Sequence, residues 1–251
     1  MPSEQKRAPI IILDHPQMGE NIGAAARAML NCGLTDLRLV APRDGWPNER
    51  ADAMSSGALD KMPPAQVFDT LADAIADCHY VYATTARLRD MVKPVFTPDG
   101  AARDITERQT TDQQTALLFG AERSGLSNDD VALSHAIINI PLNPAFSSLN
   151  LGQAVLLVCY AYQNIIDDTA DRTLPTGDSV PASHDDLLHL MDRLEAQLDH
   201  KGFFRSPDMK PSIVRNLRNT LSRAEMTAQE IRTFHGVISV LSGNKDGADD
   251  A

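Results

Sequence analysis

Five short runs, almost unbroken in apolar character, recur along the first 140 residues: Ile10–Leu13, Leu37–Val40, His79–Thr84, Ala116–Phe119 and Ala136–Ile140. A strand with one wet face alternates apolar and polar residues, whereas a strand covered on both faces reads as a continuous run. Between the runs lie Asn21–Asn31, Asn48–Leu59 and Thr70–Asp77, whose alanine and leucine content predicts helices. A weaker strand, Gln66–Asp69, precedes the third of these. The alternation predicts an α/β fold, a parallel sheet with helices on both faces.

The pattern changes after the last run. Leu149–Ile165 reads as one long helix. A stretch rich in Thr, Pro, Ser, Gly and Asp follows and reads as a linker. Ser183 is a candidate N-cap for a helix Asp185–His200 with apolar Leu187, Leu190, Met191, Leu194 and Leu198. Pro207–Leu221 and Thr227–Leu241 read as two more helices, the last opening on a Thr-x-x-Glu capping box. The expected organisation is an α/β domain over 1–165, a linker over 166–184, a helical extension over 185–241 and a flexible tail over 242–251.

With 251 residues and 43% apolar content, the chain needs no disulfide or metal staple. Cys32, Cys78 and Cys159 are odd in number and form no CxxC, so they read as buried thiols, with no metal site expected. The apolar run at 151–166 carries Gln153, Gln163 and Asn164 and is too short to span a bilayer. The N-terminal run is cut by Asp14 before it reaches signal-peptide length. A cytoplasmic protein with no membrane contact is expected. The net charge of −11 argues at first against nucleic acid. The average hides a contrast: residues 166–200 carry −7, and residues 201–235 carry +4 from Lys201, Arg205, Lys210, Arg215, Arg218, Arg223 and Arg232. That basic stretch is either a solvated helix face or a polyanion contact.

Three segments combine residue types that packing alone does not require. In GENIGAAARAMLNCG, the small residues Gly23 to Ala26 let a helix approach a neighbouring backbone, and Arg27 interrupts them. By itself Arg27 reads as a snorkelling surface arginine. In ALLFGAERSGLSNDDV, a strand runs into Gly120, where a ligand can approach the backbone. Glu122 in that segment either accepts hydrogen bonds from a ligand or braces an arginine. In IINIPLNPAFSSLN, a strand ends at Ile140-Pro141 and a polar loop leads to the long helix, with Ser147 or Ser148 as N-cap. No GxGxxG or Walker motif occurs, which weakens the reading of a small-molecule enzyme using a nucleotide.

Taken in order, the segments resemble the three motifs of the SPOUT methyltransferases, in the TrmH-like branch of RNA ribose 2′-O-methyltransferases. The matching residues are Asn21-Ile22-Gly23 with Arg27, then Phe119-Gly120-Ala121-Glu122-Arg123-Ser124-Gly125-Leu126, then Ile140-Pro141 with Ser147-Ser148-Leu149-Asn150. The stretch 83–95 and the helical tail 202–238 further resemble the TrmJ-type subgroup. This resemblance implies a C-terminal trefoil knot, a homodimer and S-adenosylmethionine as cofactor. It also implies methylation of a ribose in tRNA, at nucleotide 32 of the anticodon loop. It places the cofactor against Thr84, Thr85, Ala86, Gly120, Ile140, Ser147, Ser148 and Leu149. The catalytic set it implies is Arg27, oriented by Asn21 and Glu122, with Ser148 at ribose or cofactor. Lys210, Arg215, Arg218 and Arg223, together with Arg27, are the expected RNA contacts. Ala121 stands where the subgroup often has Arg, with Arg87 and Arg89 as the expected compensation. His15 reads either as a loop residue with a local hydrogen bond or as one facing the RNA. The alternatives are another tRNA position, ribosomal RNA, or an RNA-binding factor without catalysis.

Overall fold

In a computed structural model describing residues 7–86 and 91–243, every apolar run becomes a strand. Arg87, Arg89 and the expected flexible tail beyond Gly243 lie outside the described residues. The strands are β1 (Ile10–Asp14), β2 (Leu37–Val40), β3 (Gln66–Phe68), β4 (Tyr80–Thr84), β5 (Val95–Phe96), β6 (Thr115–Phe119) and β7 (Ala136–Ile138). They form one parallel sheet in the order β3-β2-β1-β6-β4-β7-β5. The helices around it are α1 (Gly19–Asn31), α2 (Glu49–Ser55), α3 (Ala58–Lys61), α4 (Leu71–Ala74), α5 (Pro98–Gln109), α6 (Asn128–Leu133) and α7 (Leu151–Ile166).

The continuous runs have a direct physical cause. Alternate residues of each strand enter two separate apolar layers. Ile11, Leu13, Leu39, Tyr82, Leu117 and Phe119 pack with residues of α1, α5 and α7. Ile10, Ile12, Val40, Val81, Leu118 and Ile137 pack with Leu71, Ala74 and Val131 of α4 and α6. Truncating one fully buried side chain here, such as Leu118, costs about 2–5 kcal/mol.

The structure departs from the sequence reading at four places. The helix expected over Asn48–Leu59 breaks into α2 and α3, because Ser56 and Gly57 take left-handed backbone at φ 53 and 81. The helix expected over Thr70–Asp77 is a single turn, α4. Helix α5 and the two-residue β5 had no counterpart in the sequence reading. Pro98-Asp99-Gly100 looks like a turn, and only Ala101, Ala102, Ile105 and Gln109 of α5 are buried. Neither Ser147 nor Ser148 caps α7. The cap is Asn150, whose side chain accepts from the backbone N–H of Gly152 and Gln153.

Contacts divide the chain into two compact units, Met1–Thr169 and Ala170–Ala251. The second unit holds α8 (His184–His200), α9 (Lys210–Ser222) and α10 (Ala228–Ser242). Ser183 and Thr227 cap α8 and α10 as expected, Thr227 through the expected capping box and Ser183 through a second one with Asp186. Its core is small: Leu190, Met226, Ile231 and Ile238, with Leu187, Leu194 and Leu221 packed against them.

Candidate active site

The first unit's parallel strands all point their carboxyl ends the same way, and loops at that edge can converge on a ligand. A cavity of about 340 Å³ opens there, at the ends of β4, β6 and β7. Thr84, Thr85, Ala86, Gly120, Ile140, Ser147, Ser148 and Leu149 all line it, and so does Glu122. The structure therefore brings together every residue expected at a cofactor, from segments far apart in sequence.

Local geometry explains the glycine of the second motif. A Cβ on Gly120 would sit 2.3 Å from the backbone carbon of Gly125 and from the nitrogen of Leu126, so no side chain fits. Gly125 takes φ +65 and donates its N–H to the Ala121 carbonyl at 2.8 Å, closing a tight loop. On the opposite wall, the Thr85 N–H donates to the Ile138 carbonyl, and Asn139 Nδ2 donates to the Thr85 carbonyl. These bonds tie the end of β4 to the end of β7. The Thr84 hydroxyl oxygen is buried in this wall without a hydrogen-bond partner among the described residues.

Beside the cavity, a polar chain links all three motifs. Glu122 accepts from the backbone N–H of Gln17 at 2.8 Å and of Met18 at 3.2 Å, both at the start of α1. It also accepts from Asn21 Nδ2 at 2.8 Å. Asn21 Oδ1 in turn accepts from Asn150 Nδ2 at 2.9 Å. A carboxylate at a helix N-terminus satisfies orphan N–H groups and complements the helix dipole. Glu122 thus fixes the entry of α1, and Asn150 fixes the entry of α7. Gln17 and Asn150's capping role were not anticipated. The only sequence signal for them was their place next to a motif.

Arg27 stands apart from this chain. It is exposed, lies outside the cavity lining, and donates from Nη1 to Ser56 Oγ at 3.0 Å. The expectation that Asn21 and Glu122 orient it is corrected here: they bond to each other, and Ser56 holds the guanidinium. Six residues turn a helix by about 240° past the starting face, so Asn21 and Arg27 cannot point the same way. Gly23 makes the contact with Ser56's helix possible, because a Cβ there would lie 2.2 Å from the Ala51 carbonyl oxygen.

The second unit treats its expected RNA contacts unequally. Lys210 pairs with Asp199 at 3.1 Å and with Glu195 at 3.8 Å. Arg218 pairs with Asp192 at 2.7 Å and with Glu195 at 3.1 Å. Arg215 and Arg223 form no ion pair among the described residues. Two of the four cations are thus neutralised by the acidic helix that precedes them.

Other expectations concern absences. Among the described residues, no group of three His, Cys, Asp or Glu could hold a metal ion, and no helix is long and apolar enough to cross a membrane. Cys32 and Cys159 are buried, and burial raises both thiols; Cys78 is pushed up to about 12 by burial and by Asp77.

Residues 8–160 match the model of the SpoU rRNA Methylase family. The chain is 35% identical over 236 residues to a tRNA (cytidine/uridine-2'-O-)-methyltransferase TrmJ of Yersinia pestis, covering 92% of this chain and 90% of that protein. The crystal structure of TrmJ from Z. mobilis ZM4 superposes with a TM-score of 0.79 at 49% identity, covering 94% of this chain and 99% of that one. The AdoMet complex of the SpoU methyltransferase AviRb from Streptomyces viridochromogenes shares the fold, at a TM-score of 0.53 and 21% identity over 66% of this chain and 60% of that one.

Proposed function

Since the chain belongs to the SpoU rRNA Methylase family, we propose that it methylates a ribose 2′-hydroxyl of tRNA, at a cytidine or uridine, with nucleotide 32 of the anticodon loop as the target. The observation that carries this reading is the meeting of all three motifs. The small-residue cavity and the Glu122–Asn21–Asn150 chain stand side by side at one edge of the sheet.

The cavity fits S-adenosylmethionine in two respects. The buried Thr84 hydroxyl lacks a partner among the described residues, and the cradle at Gly120 admits no Cβ. When bound, the cofactor supplies a sulfonium methyl group open to in-line displacement by a hydroxyl oxygen. The chain's part is to hold and orient. Backbone groups around Gly120, Thr85 and Leu149 bind the cofactor, and Ser148 faces cofactor or ribose. Glu122 and Asn21 keep α1 in place beside the cavity. Arg27 grips the phosphate of the target nucleotide with its planar fork. A guanidinium stays charged at every physiological pH, so Arg27 stabilises developing alkoxide charge without accepting the proton.

A second copy of the chain completes the reading. Leu156, Leu157 and Tyr160 leave an exposed apolar face on α7, which supports a homodimer. The passage of the chain after β7 through an earlier loop, as a trefoil knot, is supported by β7 lying between β4 and β5, both of which precede it. The division of labour follows the two units, the first catalytic and the second gripping tRNA through Arg215 and Arg223. Such a substrate places the work in the cytoplasm.

Unmodified tRNA incubated with the full chain and S-adenosylmethionine, then mapped by mass spectrometry, should gain one ribose methyl at nucleotide 32. The family description favours one competing target, so ribosomal RNA is run beside it. Methyl gain only in ribosomal RNA would replace the substrate, and gain in neither would leave an RNA-binding factor. A monomer in sedimentation at assay concentration would remove the dimer.

A further inference from the structure

A second cleft, of about 630 Å³, lies beside the first and shares Ala121, Ser124 and Gly125 with it as a common wall. It sits at the carboxyl ends of β1 and β2. The sheet order branches at β1, which has β2 on one side and β6 on the other. Crevices at such switch points are where open parallel sheets take ligands.

The cleft is built rather than incidental. Its floor holds Asp14, a carboxylate whose side chain is 4% exposed. Burial, and next the nearby Asp130, push that carboxyl above the usual range. His15 Nδ1 lies 2.9 Å from Asp14 Oδ1, while the His15 side chain is 61% exposed. That contact engages Nδ1 and leaves Nε2 for an outside partner. The β1 and β2 loops are stitched together: His15 N–H donates to the Val40 carbonyl at 2.9 Å, and Arg43 N–H to the Pro16 carbonyl at 3.0 Å. Arg43 is 59% exposed and uses only Nε, on Asp44, among the described residues. Its two terminal nitrogens remain available.

We propose that this cleft holds an RNA nucleotide flanking the methylated one, with its phosphate on Arg43 at the rim, its ribose or base edge against His15 and its base over Asp14. Naming RNA as the ligand rests on the methyltransferase reading; the cleft's geometry does not. The two terminal nitrogens of the Arg43 guanidinium are donors at the mouth that suit a phosphate. The acidic floor repels a free anion entering deeper, so the site takes phosphate as part of a nucleotide. The shared wall puts this nucleotide next to the one served by the first cavity.

The test is direct binding of fluorescently labelled, unmodified tRNA to the full-length protein, read by anisotropy across a salt series. Arg43→Ala and His15→Asn should each raise Kd about five- to twenty-fold, and Arg43→Ala should also flatten the plot of log Kd against log salt by about 0.7 for its lost phosphate contact. Asparagine is chosen because it tolerates the left-handed backbone at His15, φ 49. S-adenosylmethionine affinity should not change in either variant. Arg103→Ala removes the same charge from an exposed residue of α5 and should leave tRNA Kd within two-fold. Sodium phosphate should compete no better than chloride at equal ionic strength. Wild-type binding by both cleft variants, an equal loss in Arg103→Ala, or strong competition by phosphate would overturn the proposal. If the wild type binds tRNA but transfers no methyl, the functional reading falls and the cleft is still judged by the same Kd values. If the wild type methylates and the cleft variants bind normally, only the cleft falls.

Discussion

The two compact units hold their polar side chains to opposite ends. In Met1–Thr169, polar bonds join residues more than a hundred positions apart, as from Asn21 to Glu122 and from Asn150 to Asn21. Those bonds assemble a site at one edge of a sheet whose stability comes from two apolar layers. In Ala170–Ala251 the core is four residues and their neighbours, and ion pairs join α8 to α9. Polar groups in the first unit shape a site, while many in the second hold helices together. The lesson is that a segment's net charge does not say which of its charges are free to meet a ligand.

Six substitutions, grouped into five predictions, test that contrast, from the largest expected effect to the smallest. Arg27→Ala should lower the methylation rate by about 10²–10³-fold, the scale of losing one preorganised group at developing charge. Calorimetry should show S-adenosylmethionine binding intact, and near-normal turnover would remove Arg27 from the mechanism. Gly120→Ala places a Cβ 2.3 Å from backbone and should abolish measurable cofactor binding, with about 1–3 kcal/mol lost in urea unfolding. Retained affinity would mean the loop gives way. Glu122→Gln keeps one oxygen acceptor but weakens the grip on Gln17, Met18 and Asn21. Activity should drop about ten- to a hundred-fold as α1's entry loosens, on the scale of losing about 1.5–3 kcal/mol of charge-assisted bonding.

The fourth prediction concerns pH. Arg38 is buried, and its hydrogen bonds hold the Asp77 carboxyl below its ordinary 3.8. A carboxyl depressed on folding adds stability above its unfolded pKa and loses it as pH falls through the folded value. Asp77→Ala should therefore cost about 1–3 kcal/mol near neutrality, by removing the carboxylate that both terminal nitrogens of buried Arg38 engage and leaving them the Ala74 carbonyl. The gap should shrink as both proteins are titrated below pH about 4. An unchanged gap would show that packing, not charge, is lost. The smallest effect separates the cations of the second unit. Arg215→Ala should raise tRNA Kd about three- to five-fold, the scale of one phosphate contact. Arg218→Ala should leave Kd within two-fold but speed hydrogen exchange in α8 and α9. The reverse result would mean that the ion pairs open on binding and that Arg218 is the ligand contact.

Much of the fold was legible because both-face burial leaves its mark in the chain itself. The five apolar runs can be read from sequence since each strand residue must face one layer or the other. Helix α5 escaped because it buries only four residues and begins on Pro-Asp-Gly. Its Ala101, Ala102, Ile105 and Gln109 do recur at helical spacing, a faint signal. The cavity lining was legible only through the three motifs. No spacing rule predicts that Thr84, Gly120 and Ser148 share a wall. The partner of Arg27 was not legible from the motifs, because residues 21 and 27 share a helix but not a face.

What the sequence alone determined is therefore whatever depends on neighbours along the chain: runs, caps such as Ser183 and Thr227, the glycines of tight turns, and the family motifs. Tertiary structure decided which polar groups meet. Asn150 became both a helix cap and a partner of Asn21, Arg27 went to Ser56, and Arg218 went to Asp192. Hydrogen bonds and ion pairs act over a few ångströms, and only the folded chain brings residues so far apart in sequence within that reach.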